Sequence, residues 1–191
     1  MELNESDLFF FQCGWVFDPI FRGDYPAIMR EMIDAKSKAE GLEFSRLPQF
    51  SPEWRQRLNG SWDFLGLDHF STELVRPESR TDAGWSADSN TRTYQPAEWP
   101  GAASSWLKVV PWGFRKLLNW INRTYGNPPL HVTETGFSDG RFDGTDDGGR
   151  VNYYVRYIDE MLKAVLLDGC NVKAYTGWSL MDNFEWAAGY S

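Results

Sequence analysis

Histidine is scarce in this chain. There are two, His69 and His131, and no H-E-x-x-H pair, so a zinc-hydrolase site has no ligand set to draw on. His131 precedes Val132 in an apolar run and reads as a core or supporting histidine. Cysteine is equally sparse. Cys13 and Cys170 lie far apart without metal spacing and read as free buried thiols, not as a disulfide framework. No basic cluster interrupts a net charge of −8, which argues against nucleic acid and anionic membrane as partners. No apolar run approaches the roughly 20 residues of a membrane-spanning helix. Met1 leads into acidic and polar residues, so no signal peptide is visible. The acids and glycines around Asp143, Asp146 and Asp147 lack the spacing and closing glutamate of a calcium loop, and read as a solvated loop and helix cap. The expectation is no metal and no cofactor.

Aromatic residues are plentiful, at 16% of the chain with ten tryptophans. They either fill a large core or stack flat apolar ligands such as sugar faces or bases. Acidic balance with aromatic abundance fits a neutral, hydroxyl-rich ligand. Three N-x-S/T sequons, at Asn4, Asn59 and Asn122, tilt weakly towards a secretory origin and leave the compartment open.

The chain is organised around Leu130-His131-Val132-Thr133-Glu134-Thr135-Gly136. An apolar run ends on a carboxylate and a glycine turn follows, as when a buried strand delivers one acid to its C-terminal end. Residues 1–23 are apolar nearly all round and are expected to be buried. A helix opens at Asp24-Tyr25-Pro26 and stops at Gly41, and a short one runs from Ser51-Pro52 to Asn59-Gly60. Asp63-Phe64-Leu65-Gly66-Leu67 reads as a short buried strand. Residues 68–110 form a long connection bearing Trp85, Tyr94, Trp99 and Trp106; such length is uncommon unless functional. Pro111 begins a helix stopped by Gly126, and the strand at 130–134 follows. A helix from about Gly149 to Asp168 shows an apolar stripe of Val151, Tyr154, Val155, Ile158, Leu162 and Val165. The segment from Val172 to Trp178 is a third strand. Residues 63–178 therefore read β-α-β-α-β, which implies parallel strands. No G-x-G-x-x-G or phosphate-loop motif follows any strand, so strands of a (β/α)8 TIM barrel are favoured over an open dinucleotide-binding sheet.

Trp178-Ser179-Leu180-Met181-Asp182-Asn183-Phe184-Glu185-Trp186 leaves the third strand at the same end as Glu134. A core patch seldom needs three carboxylate or amide groups, whereas a sugar pocket does. Thr133-Glu134-Thr135-Gly136 resembles the T-E-N-G nucleophile motif of glycoside hydrolase family 1, the β-glucosidase family. The segment from Trp178 to Trp186 is similar to that family's W-S-L-[LM]-D-N-F-E-W motif at full length. Pro111 to Trp120 resembles the animal, lactase-like branch, and Asp63 to Leu67, Leu47 to Phe50 and Gly23 to Pro26 also match. The resemblance covers essentially the whole chain.

The resemblance implies a retaining β-glycosidase on a (β/α)8 barrel, acting on a β-glycoside or oligosaccharide, and no cofactor. Two carboxylates about 5–5.5 Å apart flank the scissile bond in such enzymes. It assigns Glu134 as nucleophile, Glu185 as the carboxylate accepting sugar hydroxyls, Trp186 as an indole donor to a neighbouring hydroxyl, and Trp178 as the platform beneath the ring. It implies that residues 1–191 are the C-terminal portion of one barrel with the last three of eight strands. The acid/base motif T-[FL]-N-E-P is absent, so the N-terminal half of the barrel is a missing partner.

Four positions depart from the pattern near the site. Asp68-His69-Phe70 stands where the family has N-[YH]-Y. Its second tyrosine binds the nucleophile, which Phe70 cannot do, and the lost donor is expected to raise the pKa of Glu134. Asp68 adds a charge in place of an amide, His69 is tolerated in lactase-like members, and Thr135 replaces an asparagine. These departures support a rival reading, a klotho-like member that binds without catalysis. With no proton donor for the leaving group, forfeiting about 10²–10⁴-fold, the isolated 191-residue chain is predicted to release no nitrophenol from a nitrophenyl β-glucoside. Turnover that disappears in Glu134→Gln would contradict this.

Overall fold

A computed structural model describes residues 10–82, 84–140 and 146–190. In chain order, a π-helical turn (Phe10–Gly14) leads into α1 (Trp15–Arg22), α2 (Ala27–Ala39) and α3 (Pro52–Leu58). Then come β1 (Leu65–Asp68), β2 (Leu74–Pro77), a single helical turn α4 (Trp85–Asp88) and β3 (Thr91–Tyr94). The chain continues with α5 (Pro111–Tyr125), β4 (Leu130–Glu134), α6 (Gly148–Leu166), β5 (Val172–Tyr175) and a closing 3₁₀ turn (Trp186–Ala188). These divide into two compact units. One is Met1–Asp63 with Glu73–Tyr94; the other is Phe64–Thr72 with Gln95–Ser191.

In the first unit, α2 carries the core. Met29 and Ile33 pack with Phe11 and Leu47, and all four are almost fully buried. Arg46 fastens the segment after α2 by a bidentate pair with Asp88 at 2.7 and 2.8 Å. Residues 10–23 are not apolar all round: Val16 is 54% exposed, while Asp18 is buried and pairs with Arg22 at 2.9 Å one turn on. An amphipathic helix needs one inward face, and here an ion pair sits on it. Residues 1–9 lie outside the described residues. The long connection read at 68–110 contains a β-hairpin and one helical turn. β2 and β3 pair antiparallel, Leu74 opposite Tyr94 and Pro77 opposite Thr91, around α4. Strands of four residues carry too short an alternation to be read reliably from sequence.

The second unit contains the parallel sheet, with strand order β1-β4-β5. Leu65 pairs with Leu130 and Val132 with Tyr175, so each crossover helix connects adjacent strands. On one face Leu65, Leu67, Leu130 and Val132 are buried with Phe114, Leu118 and Ile121 of α5. Pro111 opens α5, where its missing N–H costs nothing, and Gly126 closes it in the left-handed conformation at φ 74°. The other face, which presents Gly66, Asp68, His131 and Thr133, is more open. His131 stacks on Phe64 at 4.3 Å there rather than sitting in the core.

The inward face of α6 differs from the apolar stripe. Tyr153, Tyr157 and Ala164 are fully buried, while Val151 and Val155 are 60% and 62% exposed. Val151, Tyr154, Val155, Ile158 and Leu162 instead line an open groove of about 550 Å³. Tyrosine wins the interior because the strand ends offer its hydroxyls partners. Asn122, an acceptor by sequon, lies inside α5 with its amide nitrogen donating to the Asp168 carbonyl at 3.3 Å, so a glycan there would displace that bond. Asn59 is exposed. Cys13 and Cys170 are free. Among the described residues, no helix is long and apolar enough to cross a membrane.

Leu118 is 1% exposed. Leu118→Ala is expected to lower the unfolding free energy of the full-length protein by about 2–5 kcal/mol, read from the shift of the denaturant midpoint.

Candidate functional site

The site gathers at the C-terminal ends of β1, β4 and β5. Residues pair one-to-one along β1 and β4 until Leu67, which faces Val132; Asp68 then faces Glu134, skipping Thr133. This irregularity brings the two acids level, the kind of re-aiming that bulges provide beside active sites. The His69 amide donates to the Glu134 carbonyl at 2.9 Å, and the Thr133 hydroxyl donates to Asp68 Oδ1 at 2.7 Å. Both acids therefore sit on a hydrogen-bonded strand pair, with Asp68 exposed and Glu134 half-buried.

The turn after Glu134 is held from behind. Thr135 has no exposed surface, and its hydroxyl lies 3.1 Å from that of Tyr153. Tyr153 donates to the Phe70 carbonyl at 3.0 Å and stacks on Tyr157 with ring centres 4.0 Å apart. The Val110 amide donates to the Tyr157 hydroxyl at 3.1 Å. Tyr153 thus ties the ends of β1 and β4 together through one residue of α6. Burial pushes both tyrosine hydroxyls above their ordinary pKa, so they remain protonated donors. His69 sits beneath, 4.9 Å from the Phe114 ring, and burial lowers its pKa to about 4. It is a neutral packing group at pH 7. Its Nδ1 has no hydrogen-bond partner among the described residues.

The segment after β5 enters from the other side. The Trp178 amide donates to the Thr135 carbonyl at 2.6 Å, and the Trp178 indole donates to Glu185 Oε1 at 3.1 Å. Trp178 is 40% exposed. The fold brings together Glu134, Asp68, Thr135, Trp178 and Glu185. Trp186 is 83% exposed at a positive φ of 48°, and among the described residues its indole makes no hydrogen bond to Glu134 or Glu185. Phe70 contributes its carbonyl to the tyrosines and meets Trp106 edge-on at 6.1 Å. No hydroxyl from position 70 reaches Glu134.

Electrostatics follow from this geometry. Partial burial pushes the Glu134 carboxyl above its ordinary pKa, and the negative charges of Asp68 and Glu185 push it further. The direction is the one expected from sequence, but the causes present here are desolvation and like charge. Among the described residues no group of three or more His, Cys, Asp or Glu is placed to hold a metal ion. Asp143 lies outside the described residues. Residue type alone does not single out the supporting tyrosines. Tyr153 and Tyr157, one turn apart on a helix, were the available signal.

The arrangement has clear counterparts in known proteins. The sequence model of Glycosyl hydrolase family 1 matches residues 3–191. The chain is 45% identical over 186 residues to the lactase-like protein of Homo sapiens, covering 95% of this chain and 32% of the relative. It is 42% identical over 184 residues to human lactase/phlorizin hydrolase, covering 95% and 10%. Among solved structures it is similar to aphid myrosinase, with TM-score 0.83 and 42% identity over 93% of this chain and 38% of that one. A rice β-glucosidase gives TM-score 0.85 and 33% identity over 97% and 40%. The chain thus spans less than half of each relative, and its three parallel strands are part of a (β/α)8 barrel.

Asp68→Asn removes one of the two charges that raise Glu134. The Glu134 carboxyl titration, followed by carbon-13 NMR, is expected to move to lower pH in that variant. An unmoved or higher midpoint would show that Asp68 does not act on Glu134.

Proposed function

The chain belongs to glycosyl hydrolase family 1, and we propose that it is the C-terminal portion of the single catalytic barrel of a retaining β-glycosidase, carrying the nucleophile and part of the sugar pocket. The observation behind this reading is the placement of Glu134. It ends a parallel strand, within electrostatic range of Glu185, which is itself held by the indole of Trp178. In such a site the Glu134 carboxylate attacks the anomeric carbon, the C–O bond to the leaving group breaks, and a glycosyl ester forms. A second carboxyl group protonates the departing oxygen and then takes a proton from the water that opens the ester. That acid lies outside this chain, in the N-terminal part of the barrel.

The relatives support the reading. They include a lactase/phlorizin hydrolase, a β-glucosidase and a myrosinase. A variant of the rice β-glucosidase has been solved in a covalent complex with Glc, and a retaining mechanism passes through a covalent glycosyl-enzyme. On this reading Trp178 stacks beneath the sugar ring, Glu185 accepts from its hydroxyls and Trp186 donates to one of them. Trp186 is far more exposed than Trp178, so its part depends on the sugar or on barrel segments outside this chain. The substrate is a β-glycoside or oligosaccharide. A binding-only role draws on Phe70, which offers no hydroxyl to Glu134, and on Asp68, whose charge opposes ionisation of Glu134. Against it stands retention of Glu134, Glu185 and Trp178 together.

The test uses the full-length protein and a 2-deoxy-2-fluoro-β-glucoside with a good leaving group. One glycosyl unit is expected to attach per chain, on the peptide containing Glu134, and Glu134→Gln is expected to lower kcat on a nitrophenyl glycoside by at least about 10⁴-fold. Labelling of another residue would remove Glu134 from the role of nucleophile. A full-length protein that binds glycosides and turns none over would favour the binding-only role.

A further inference from the structure

Tyr154 belongs to the open apolar groove of α6, yet its hydroxyl does not face solvent alone. It lies 3.3 Å from the Thr135 carbonyl and 3.3 Å from the Trp178 carbonyl. One hydroxyl carries one proton, so the proton is shared between the two turns. Thr135 follows Glu134 directly, and Trp178 holds Glu185 through its indole. The same two turns are joined a second time by the Trp178 amide on the Thr135 carbonyl at 2.6 Å.

The approach of the two turns is close at Gly136, and the Tyr154 hydroxyl is close at Gly177. A Cβ on Gly136 would overlap the Trp178 carbonyl oxygen, and one on Gly177 would stand 2.9 Å from the Tyr154 hydroxyl. Gly136 lets its turn meet the Trp178 carbonyl, and Gly177 leaves room for the Tyr154 hydroxyl beside it. Tyr153 and Tyr157 supply the buried packing of this part of α6, whereas Tyr154 is half-buried. Its ring could be replaced by another apolar group at little packing cost, but its hydroxyl could not.

We propose that Tyr154 is a positioning residue for the glycosidase reaction, its hydroxyl setting the spacing between the Glu134 turn and the Trp178–Glu185 pair. The proposal rests on the retaining-glycosidase reading above. A sugar stacked on Trp178 must present its anomeric carbon to Glu134, and a misplacement of about 1 Å in such an arrangement can cost about 10²-fold in rate. Loosening the tie leaves ground-state stacking on Trp178 largely intact and degrades alignment in the transition state, so kcat suffers more than KM.

The experiment compares Tyr154→Phe, Tyr154→Leu and Val155→Ser in the full-length protein. Two readouts are used: steady-state kinetics on a nitrophenyl β-glucoside, and hydrogen exchange of peptides covering 135–137 and 177–181. Tyr154→Phe is expected to lower kcat by about 10- to 100-fold, with KM within about threefold and the melting temperature unchanged. Exchange in both peptides should rise together, and exchange within α6 should not. Val155→Ser, on the exposed side of the same helix, should behave as wild type. If Tyr154→Phe keeps wild-type kcat while Tyr154→Leu is impaired, the ring acts by packing and the proposal is overturned. Unchanged exchange in Tyr154→Phe overturns the tie regardless of activity. A wild-type protein that turns over no glycoside overturns the functional reading and the catalytic half of this inference with it. Faster exchange in Tyr154→Phe would still support the tie in that case.

Discussion

Thr135 has no surface open to solvent, and the position of Glu134 follows from that. A carboxylate at the end of a strand is held only as firmly as the residue after it. Here that residue has its hydroxyl beside Tyr153, its carbonyl taken by the Trp178 amide, and the Tyr154 hydroxyl within reach. Buried polar groups are costly without partners and rigid with them. The turn is therefore a fixed point to which β1, β4, β5 and α6 are each attached.

What the fixed point supports is a concentration of negative charge. Asp68 lies level with Glu134 across the strand pair, and Glu185 is brought in from the segment after β5. Partial burial and the two neighbours all make ionisation of Glu134 harder. No arginine or lysine hydrogen-bonds to Glu134, Asp68 or Glu185 among the described residues. As the proposed nucleophile Glu134 would have to ionise in surroundings that oppose it, and its carboxyl titrates above its ordinary value. The pH at which Glu134 ionises is then set by its neighbours as much as by the carboxyl itself. Phe70 offers its carbonyl, which anchors the tyrosines on the far side.

Much of this architecture could be read along the chain because its signals are local. Pro111 and Gly126 bracket α5, the Leu130–Glu134 run ends on its acid before a glycine, and the crossover pattern implies parallel strands. The motif from Trp178 to Trp186 could be recognised by residue type alone. The inward face of α6 could not. Aliphatic residues at helical spacing marked Val151 and Val155 as interior, and both are exposed. Tyr153 and Tyr157 go inside because Phe70 and Val110, 83 and 47 residues away in sequence, supply their partners. The hairpin of β2 and β3 is not legible along the chain either, since each strand is only four residues long.

By itself the sequence determined which chemical groups are available and which strand ends carry them: Glu134, Trp178 and Glu185, with no metal set and few histidines. Only the tertiary structure decided how those groups influence one another. The register irregularity after Leu67 sets Asp68 against Glu134, and the indole of Trp178 orients Glu185. Tyr153 and Tyr154 reach the turns from a separate helix. Residue type and local spacing follow from neighbours in the chain. Electrostatic coupling and hydrogen-bond partnership depend on distances of a few ångströms between residues tens of positions apart, and folding alone sets those distances.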